Sequence, residues 1–350
     1  MSGTDSASAA AGQSIPAIAR PPSSGELIWD RLFRRSTFAI ATFTVLLTVY
    51  VVYSIARVAT PAIHSYGWAF MSGQTWDANR NEYGILPAIA GTLYSSFLGL
   101  IVGTLFGLAI AIFLSERFLA LALESVVKML GLEGQGLWAK LPDRIENLLR
   151  TIIELLAAIP SVVYGLWGIF VVIPMVRPPA NWLHDHLGWI PIFGTSLSGP
   201  GLLPASIVLA IMVLPTISAI SRDALIAVPP KIREAAFGLG ATRWEAILAV
   251  FIPTAATGIL GAILLGFGRA LGETMALAML AGNANVLSWS LFSPANTLAA
   301  LLANHFPEAG TDEVGALMYA ALVLLAITLI VNILGTLILQ RANAELEGLR

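Results

Sequence analysis

The sequence predicts an all-α polytopic membrane protein with six transmembrane helices, and three observations predict it. The first is composition. Hydrophobic residues make up 57% of the 350 and charged ones 11%, with a mean hydropathy of +0.80, whereas soluble domains carry about 25% charged residues. The second is a series of uncharged runs along the whole length, each long enough to supply the roughly 20 apolar residues that cross about 30 Å of hydrocarbon. Only helices or closed barrels satisfy their backbone groups in lipid, and these runs lack the period-2 alternation of barrel strands. The third is the placement of Lys and Arg. With the N-terminus in the cytoplasm, the outer segments hold only Arg57, Arg80 and Arg177, while inner segments hold groups such as Arg31, Arg34 and Arg35, or Lys231, Arg233 and Arg243. That bias follows the positive-inside rule at every loop, and an odd number of spans would break it.

In order along the chain, residues 1–30 are expected to form a disordered cytoplasmic N-terminus, rich in Ser, Ala, Gly and Pro up to residue 26. They do not read as a secretory signal, because the first apolar run starts late and is of full span length. A transmembrane domain is expected over 31–345, with helices near 36–58, 87–114, 148–175, 203–225, 254–280 and 314–340. The outer loop 59–86 carries Trp68, Phe70, Trp76 and Tyr83, which read as interfacial anchors rather than ligand contacts. The inner segment 115–147 holds an amphipathic piece, Phe118–Leu130, expected to lie on the membrane surface, then a flexible Gly131–Gly136 and a break at Pro142. The outer loop 177–202 is expected to be broken by Pro178, Pro179, Pro191 and Pro200. The last outer loop, 282–313, has no Lys or Arg. With no cysteine, and with His64, His184, His186 and His305 scattered in outer loops, no disulfide, thiol chemistry or metal site is expected.

Two stretches carry chemistry. In the inner loop 228–253, Pro229-Pro230 ends the preceding helix, since proline disfavours helical geometry in the residue before it. Lys231–Phe237 is expected to form a short helix, Gly238 and Gly240 a tight turn, and Ala241–Ile252 a second short helix ending at Pro253. Such a unit below the bilayer is either an ordinary amphipathic connector or a rigid lever for a partner. In the fifth span, Arg269 and Glu273 stand four apart and so on one helical face, beside a Gly268-xxx-Gly272 small-residue face. A charge at bilayer depth costs roughly 2.5–3.5 kcal/mol on insertion scales and faces the bundle interior. The two residues either neutralise each other and lock helices together, or Arg269 lines an anion route with Glu273 setting its position. A guanidinium suits an oxyanion because it is always charged and donates a bidentate fork.

The inner loop resembles the EAA loop of binding-protein-dependent ABC importer permeases, whose pattern is Glu-Ala-Ala, three residues, Gly, nine residues, Ile-x-Leu-Pro. Glu234, Ala235, Ala236, Gly240, Ile252 and Pro253 stand in register, with Val250 in the Ile place. The run Gly268-Arg269-Ala270-Leu271-Gly272-Glu273-Thr274-Met275-Ala276 resembles the fifth-span signature of the phosphate-specific PstC family. So does Glu154–Ser161 followed by Val162-Val163-Tyr164-Gly165, and Tyr83-Gly84, Gly91-Thr92-Leu93 and Gly282-Asn283 fall where that family has them. The resemblance covers about 36–340. It implies a type I ABC importer permease (MetI-like) fold in the inner (cytoplasmic) membrane, with both termini cytoplasmic. It implies a phosphate importer whose partners are a PstA-like second permease, two PstB-like ATP-binding subunits and a periplasmic PstS-like phosphate-binding protein, with no nucleic-acid partner. In this resemblance Arg269 and Glu273 serve phosphate passage, while Glu234, Ala235, Ala236, Gly240 and Pro253 couple the spans to the ATPase. Glu154 is assigned a pairing role with Arg150. One departure is the stretch between Glu116 and Arg144, some twenty residues longer than in typical relatives.

No Gly-x4-Gly-Lys-Ser/Thr loop is present, so no cofactor is expected in this chain and Mg-ATP is assigned to partner subunits. The EAA pattern alone also fits a permease for sulfate or molybdate, and only the fifth-span signature argues against that. A membrane-embedded transferase would display paired aspartates or a His/carboxylate cluster at the interface, whereas Asp223 stands alone.

Overall fold

The computed structural model describes residues 23–129 and 141–348. Six helices are long and apolar enough to cross a membrane: Ser24–Tyr66, Leu86–Ser115, Ser161–Leu187, Leu202–Ile226, Arg243–Leu271 and Thr311–Arg341. The number agrees with the expectation, while several boundaries do not.

The chain divides into two units, residues 1–54 and 55–350. In the first, the helix begins at Ser24 rather than after residue 30, which corrects the expected disordered segment over 24–30. Its start is a reciprocal cap: the Ser23 amide donates to Glu26 Oε2 at 2.6 Å, and the Glu26 amide to Ser23 Oγ at 3.3 Å. That Ser-x-x-Glu pairing satisfies two orphan donors at once. The remainder of that expectation, residues 1–22, lies outside the described residues, as does Gly131–Gly136.

The second unit is organised around the fourth span, the most buried of the six. Gly99, Gly103 and Gly107 of the second span meet Leu209, Val213 and Ile217 of the fourth, each set spaced by four. A Cβ at Gly103 would lie 2.6 Å from Val213 Cγ2. In lipid the gain comes from close packing and not from water release, so small residues on one face are what join these spans. The small-residue face expected at Gly268 and Gly272 makes no such contact: the nearest foreign atom to a Cβ at Gly268 is Asn332 Oδ1, 3.7 Å away.

The third span is displaced from its expected range. A helix over Leu141–Ala158 ends before Pro160, and the span proper starts at Ser161. It then continues to Leu187 through Pro178 and Pro179, where a loop was expected. Side-chain bonds to the returning segment hold it: the Leu197 amide donates to Asn181 Oδ1 at 2.8 Å, and His184 Nδ1 lies 2.7 Å from the Phe193 carbonyl. A π-helical turn, Gly168–Val172, precedes Ile173-Pro174 in this span, and another, Ile247–Phe251, precedes Ile252-Pro253 in the fifth. The extra residue in each turn eases the clash between a proline ring and the carbonyl four residues back.

Between the first and second spans, strands Trp76–Asp77 and Glu82–Tyr83 pair antiparallel. Three of the aromatic residues read as lipid anchors instead build a packed cluster. Phe70 stacks on Tyr319 at 4.5 Å, Trp76 meets Tyr83 edge-on, and the Trp76 indole donates to Glu313 Oε1 at 3.0 Å. Trp68 alone stays strongly exposed. The last loop folds back as a helix, Leu298–His305, whose first half, Leu298–Leu301, is buried. Its approach explains Gly91-Thr92: the Asn296 carbonyl occupies the place of a Gly91 Cβ, and the Leu298 amide donates to Thr92 Oγ1 at 2.9 Å.

Candidate functional site

The inner loop is built from two helix ends of known chemistry. Helix Pro230–Gly238 closes with the Ala241 amide on the Ala236 carbonyl (3.2 Å) and the Gly240 amide on the Phe237 carbonyl (3.0 Å). Gly240 has φ +86°. This is a Schellman end, in which the left-handed position is taken by glycine because any Cβ there is strained. Thr242 opens the following helix with a capping box, its amide donating to Glu245 Oε2 at 2.8 Å while the Glu245 amide reaches Thr242 Oγ1 at 3.4 Å. The sequence therefore makes a helix, a four-residue turn, 239–242, and a second helix without slack. The second helix does not end at Pro253 as expected. It runs on through the π turn into the fifth span as one rod, Arg243–Leu271.

Of the predicted coupling residues, Ala236 is buried against Phe251 and Leu225, while Glu234, Ala235, Gly240 and Pro253 are exposed. Phe237, Leu239, Trp244 and Leu248 are exposed apolar neighbours of the same loop. A residue missed in the sequence ties this loop down. The Arg233 guanidinium donates to Glu116 Oε1 at 2.7 Å and to the Leu225 carbonyl at 2.7 Å, and sits 4.4 Å from the centre of the Phe251 ring. It thus joins the loop helix to the ends of the second, fourth and fifth spans. Phe118 of the inner segment stacks on Trp244 at 5.6 Å. Arg150 and Glu154 pair as expected, at 2.8 Å, on a half-exposed surface.

The fifth span places Arg269 and Glu273 differently from the expectation. The helix stops at Leu271, and Gly272–Thr274 break it before a short helix, Met275–Leu280. Glu273 therefore leaves the helical face that Arg269 occupies, and no ion pair joins them among the described residues. Its Oε1 instead accepts from the Ala276 amide at 3.4 Å, capping the short helix. Four-residue spacing makes a pair only while the helix continues, and this one ends at Leu271. Arg269 is exposed and borders a cavity of about 660 Å³ with Thr216, Gly268, Asn332 and Thr336. Among the described residues no cluster of His, Asp and Glu has metal-binding geometry. His186 Nδ1 lies 2.8 Å from the Trp182 carbonyl instead.

A helical bundle with a broken span, a cavity bordered by a guanidinium that has no carboxylate partner among the described residues, and a capped helix pair leading into the fifth span is the architecture of an importer permease. The chain belongs to the binding-protein-dependent transport system inner membrane component family, whose sequence profile matches residues 135–344. Within that family it is similar to the phosphate transport system permease protein PstC. The Pasteurella multocida protein of that name is 38% identical over 92% of this chain and 94% of its own. The Haemophilus influenzae one is 37% identical over 89% and 93%, and a probable one from Methanocaldococcus jannaschii 33% over 81% and 85%. Among solved structures, a bacterial alginate ABC transporter chain aligns with a TM-score of 0.55 at 17% identity, over 89% of this chain and 98% of that one. The MetNI methionine ABC transporter aligns with 0.50 at 18%, over 74% and 95%. At such identities the likeness speaks for the fold alone, and the fold is that of an ABC transporter permease.

Proposed function

We propose that this chain is the permease subunit of an ATP-driven phosphate importer, contributing the path for inorganic phosphate across the inner membrane. The observation that carries the reading is near-full-length similarity to phosphate transport permeases at up to 38% identity. It is supported by Arg269, whose guanidinium borders the cavity in the fifth span free of a carboxylate partner among the described residues. The chain itself hydrolyses no ATP. Mg-ATP is turned over by two PstB-like subunits, one of which docks on the exposed face of the loop 228–253 through Glu234, Ala235, Gly240 and Pro253, with Ala236 holding that face to the bundle. A PstA-like permease closes the other side of the path, and a periplasmic PstS-like protein delivers phosphate. Both termini are cytoplasmic.

The mechanism is alternating access around a fixed site. Closure of the ATPase dimer moves the Pro230–Gly238 helix, and the continuous rod Arg243–Leu271 carries that movement to the level of Arg269. Rigidity matters here, because slack in the turn would absorb the stroke. Arg269 offers charge and fork geometry to the anion, and Glu273 fixes the break that ends the rod beside it. The test is uptake of radiolabelled phosphate by the reconstituted complex, challenged with arsenate, sulfate and molybdate. Competition by arsenate alone is the expected result; uptake of sulfate in place of phosphate would defeat the reading.

A further inference from the structure

One face of the sixth span carries polar side chains that the mechanism above leaves unused. Asn332 and Thr336 lie one turn apart in a run otherwise rich in Ile and Leu, and both are exposed in the single chain. The Thr336 hydroxyl donates to the Asn332 backbone carbonyl at 2.8 Å. The Asn332 side-chain amide has no hydrogen-bond partner among the described residues. A primary amide offers two donors and an acceptor, and polar groups at bilayer depth face a bundle interior or a water-filled route rather than lipid.

Packing decides which route. Gly335 admits Leu264 of the fifth span, where any Cβ would collide with it. One turn onward along the fifth span and one turn back along the sixth, Asn332 Oδ1 comes within 3.7 Å of a Cβ placed at Gly268. These paired contacts run in opposite senses, so the spans are antiparallel and Asn332 is delivered beside Arg269, on the same cavity.

We infer that Asn332 contacts the oxyanion during its passage, as a neutral partner to Arg269. This rests on the reading of the chain as a phosphate permease. Near neutral pH phosphate presents both charged oxygens, which accept, and a P–OH group, which donates; an amide answers both. It adds no charge, so it orients the anion without holding it as tightly as a second cation would.

The test uses the full complex with its partners in liposomes, measuring radiolabelled phosphate uptake and ATP hydrolysis together. Asn332→Leu keeps the branch at Cγ while removing the polar atoms, and suits a lipid-spanning helix. It is expected to lower phosphate moved per ATP about tenfold, the size of one hydrogen bond to a charged group. Assembly and ATPase stimulation by the binding protein stay intact, and Asn332→Gln recovers part of the loss. An unchanged phosphate-to-ATP ratio overturns the inference, and so does a parallel fall in uptake and ATPase, which marks a purely structural role. Should Asn332→Leu not assemble, Asn332→Ala is judged by the same two readouts. A wild-type complex that moves no phosphate is a different result and defeats the permease reading itself.

Discussion

Replacing Arg233 by Ala removes the clamp between the loop 228–253 and the bundle, and its size follows from the contacts. The guanidinium makes one charged hydrogen bond to Glu116 and one to a backbone carbonyl, each 2.7 Å, and covers the Phe251 ring. Hydrogen bonds to charged groups contribute about 1.5–3 kcal/mol each, and a cation over an aromatic face about 0.5–1 kcal/mol at exposed sites. Side-chain exposures of 23% for Arg233 and 11% for Glu116 place the pair between two limits. A surface pair is worth about 0–1 kcal/mol, while truncating one partner of a buried pair costs about 3–5 kcal/mol. We therefore expect about 2–3 kcal/mol, a shift of about 30- to 150-fold toward a detached loop helix. The consequence is uncoupling: ATP hydrolysis by the assembled complex persists while phosphate moved per ATP collapses. Glu116→Gln, which keeps an acceptor for the guanidinium, should lose much less. Full coupling in Arg233→Ala, measured as uptake and hydrolysis in the same liposomes, would refute the clamp.

Other outcomes follow from the same geometry. Gly240→Asp puts a side chain where φ is +86°; a cost of about 1–2 kcal/mol in the turn should appear as loss of the co-purifying ATPase, with Gly240→Asn the milder change. Arg269→Ala should abolish uptake with the complex intact, and Arg269→Lys should retain a fraction; normal uptake by Arg269→Ala would remove that residue from the path. Gly103→Ala forces a Cβ to within 2.6 Å of Val213, so thermal unfolding in detergent should shift by about 1–3 kcal/mol of overpacking, whereas Gly261→Ala, with open space around it, should not.

Much of this fold was legible because lipid imposes simple demands. Length, apolarity and the Lys and Arg bias sufficed for six spans, and Glu234 to Gly240 predicted a helix closed by a glycine turn. What composition could not show was where a helix tolerates proline. Pro253 was expected to stop a helix, yet the π turn before it lets the rod continue, and Pro178-Pro179 sit inside a helix held by Asn181 and His184. The Arg269–Glu273 pairing failed for the opposite reason, since the helix ends at Leu271, where spacing assumed it unbroken. Two local signals were open to a closer reading: Ser23-x-x-Glu26 and Thr242-x-x-Glu245 are both capping boxes. The Arg233–Glu116 clamp spans 117 residues, and no local pattern announces it.

In the proposed function this bundle supplies the path and takes its force from outside, through the loop 228–253. The most direct measurement is accumulation of radiolabelled phosphate against a gradient in liposomes carrying either the purified chain alone or the chain with its second permease, ATP-binding subunits and phosphate-binding protein. Accumulation is expected only for the assembled complex supplied with ATP. Uphill accumulation by the chain alone would contradict it.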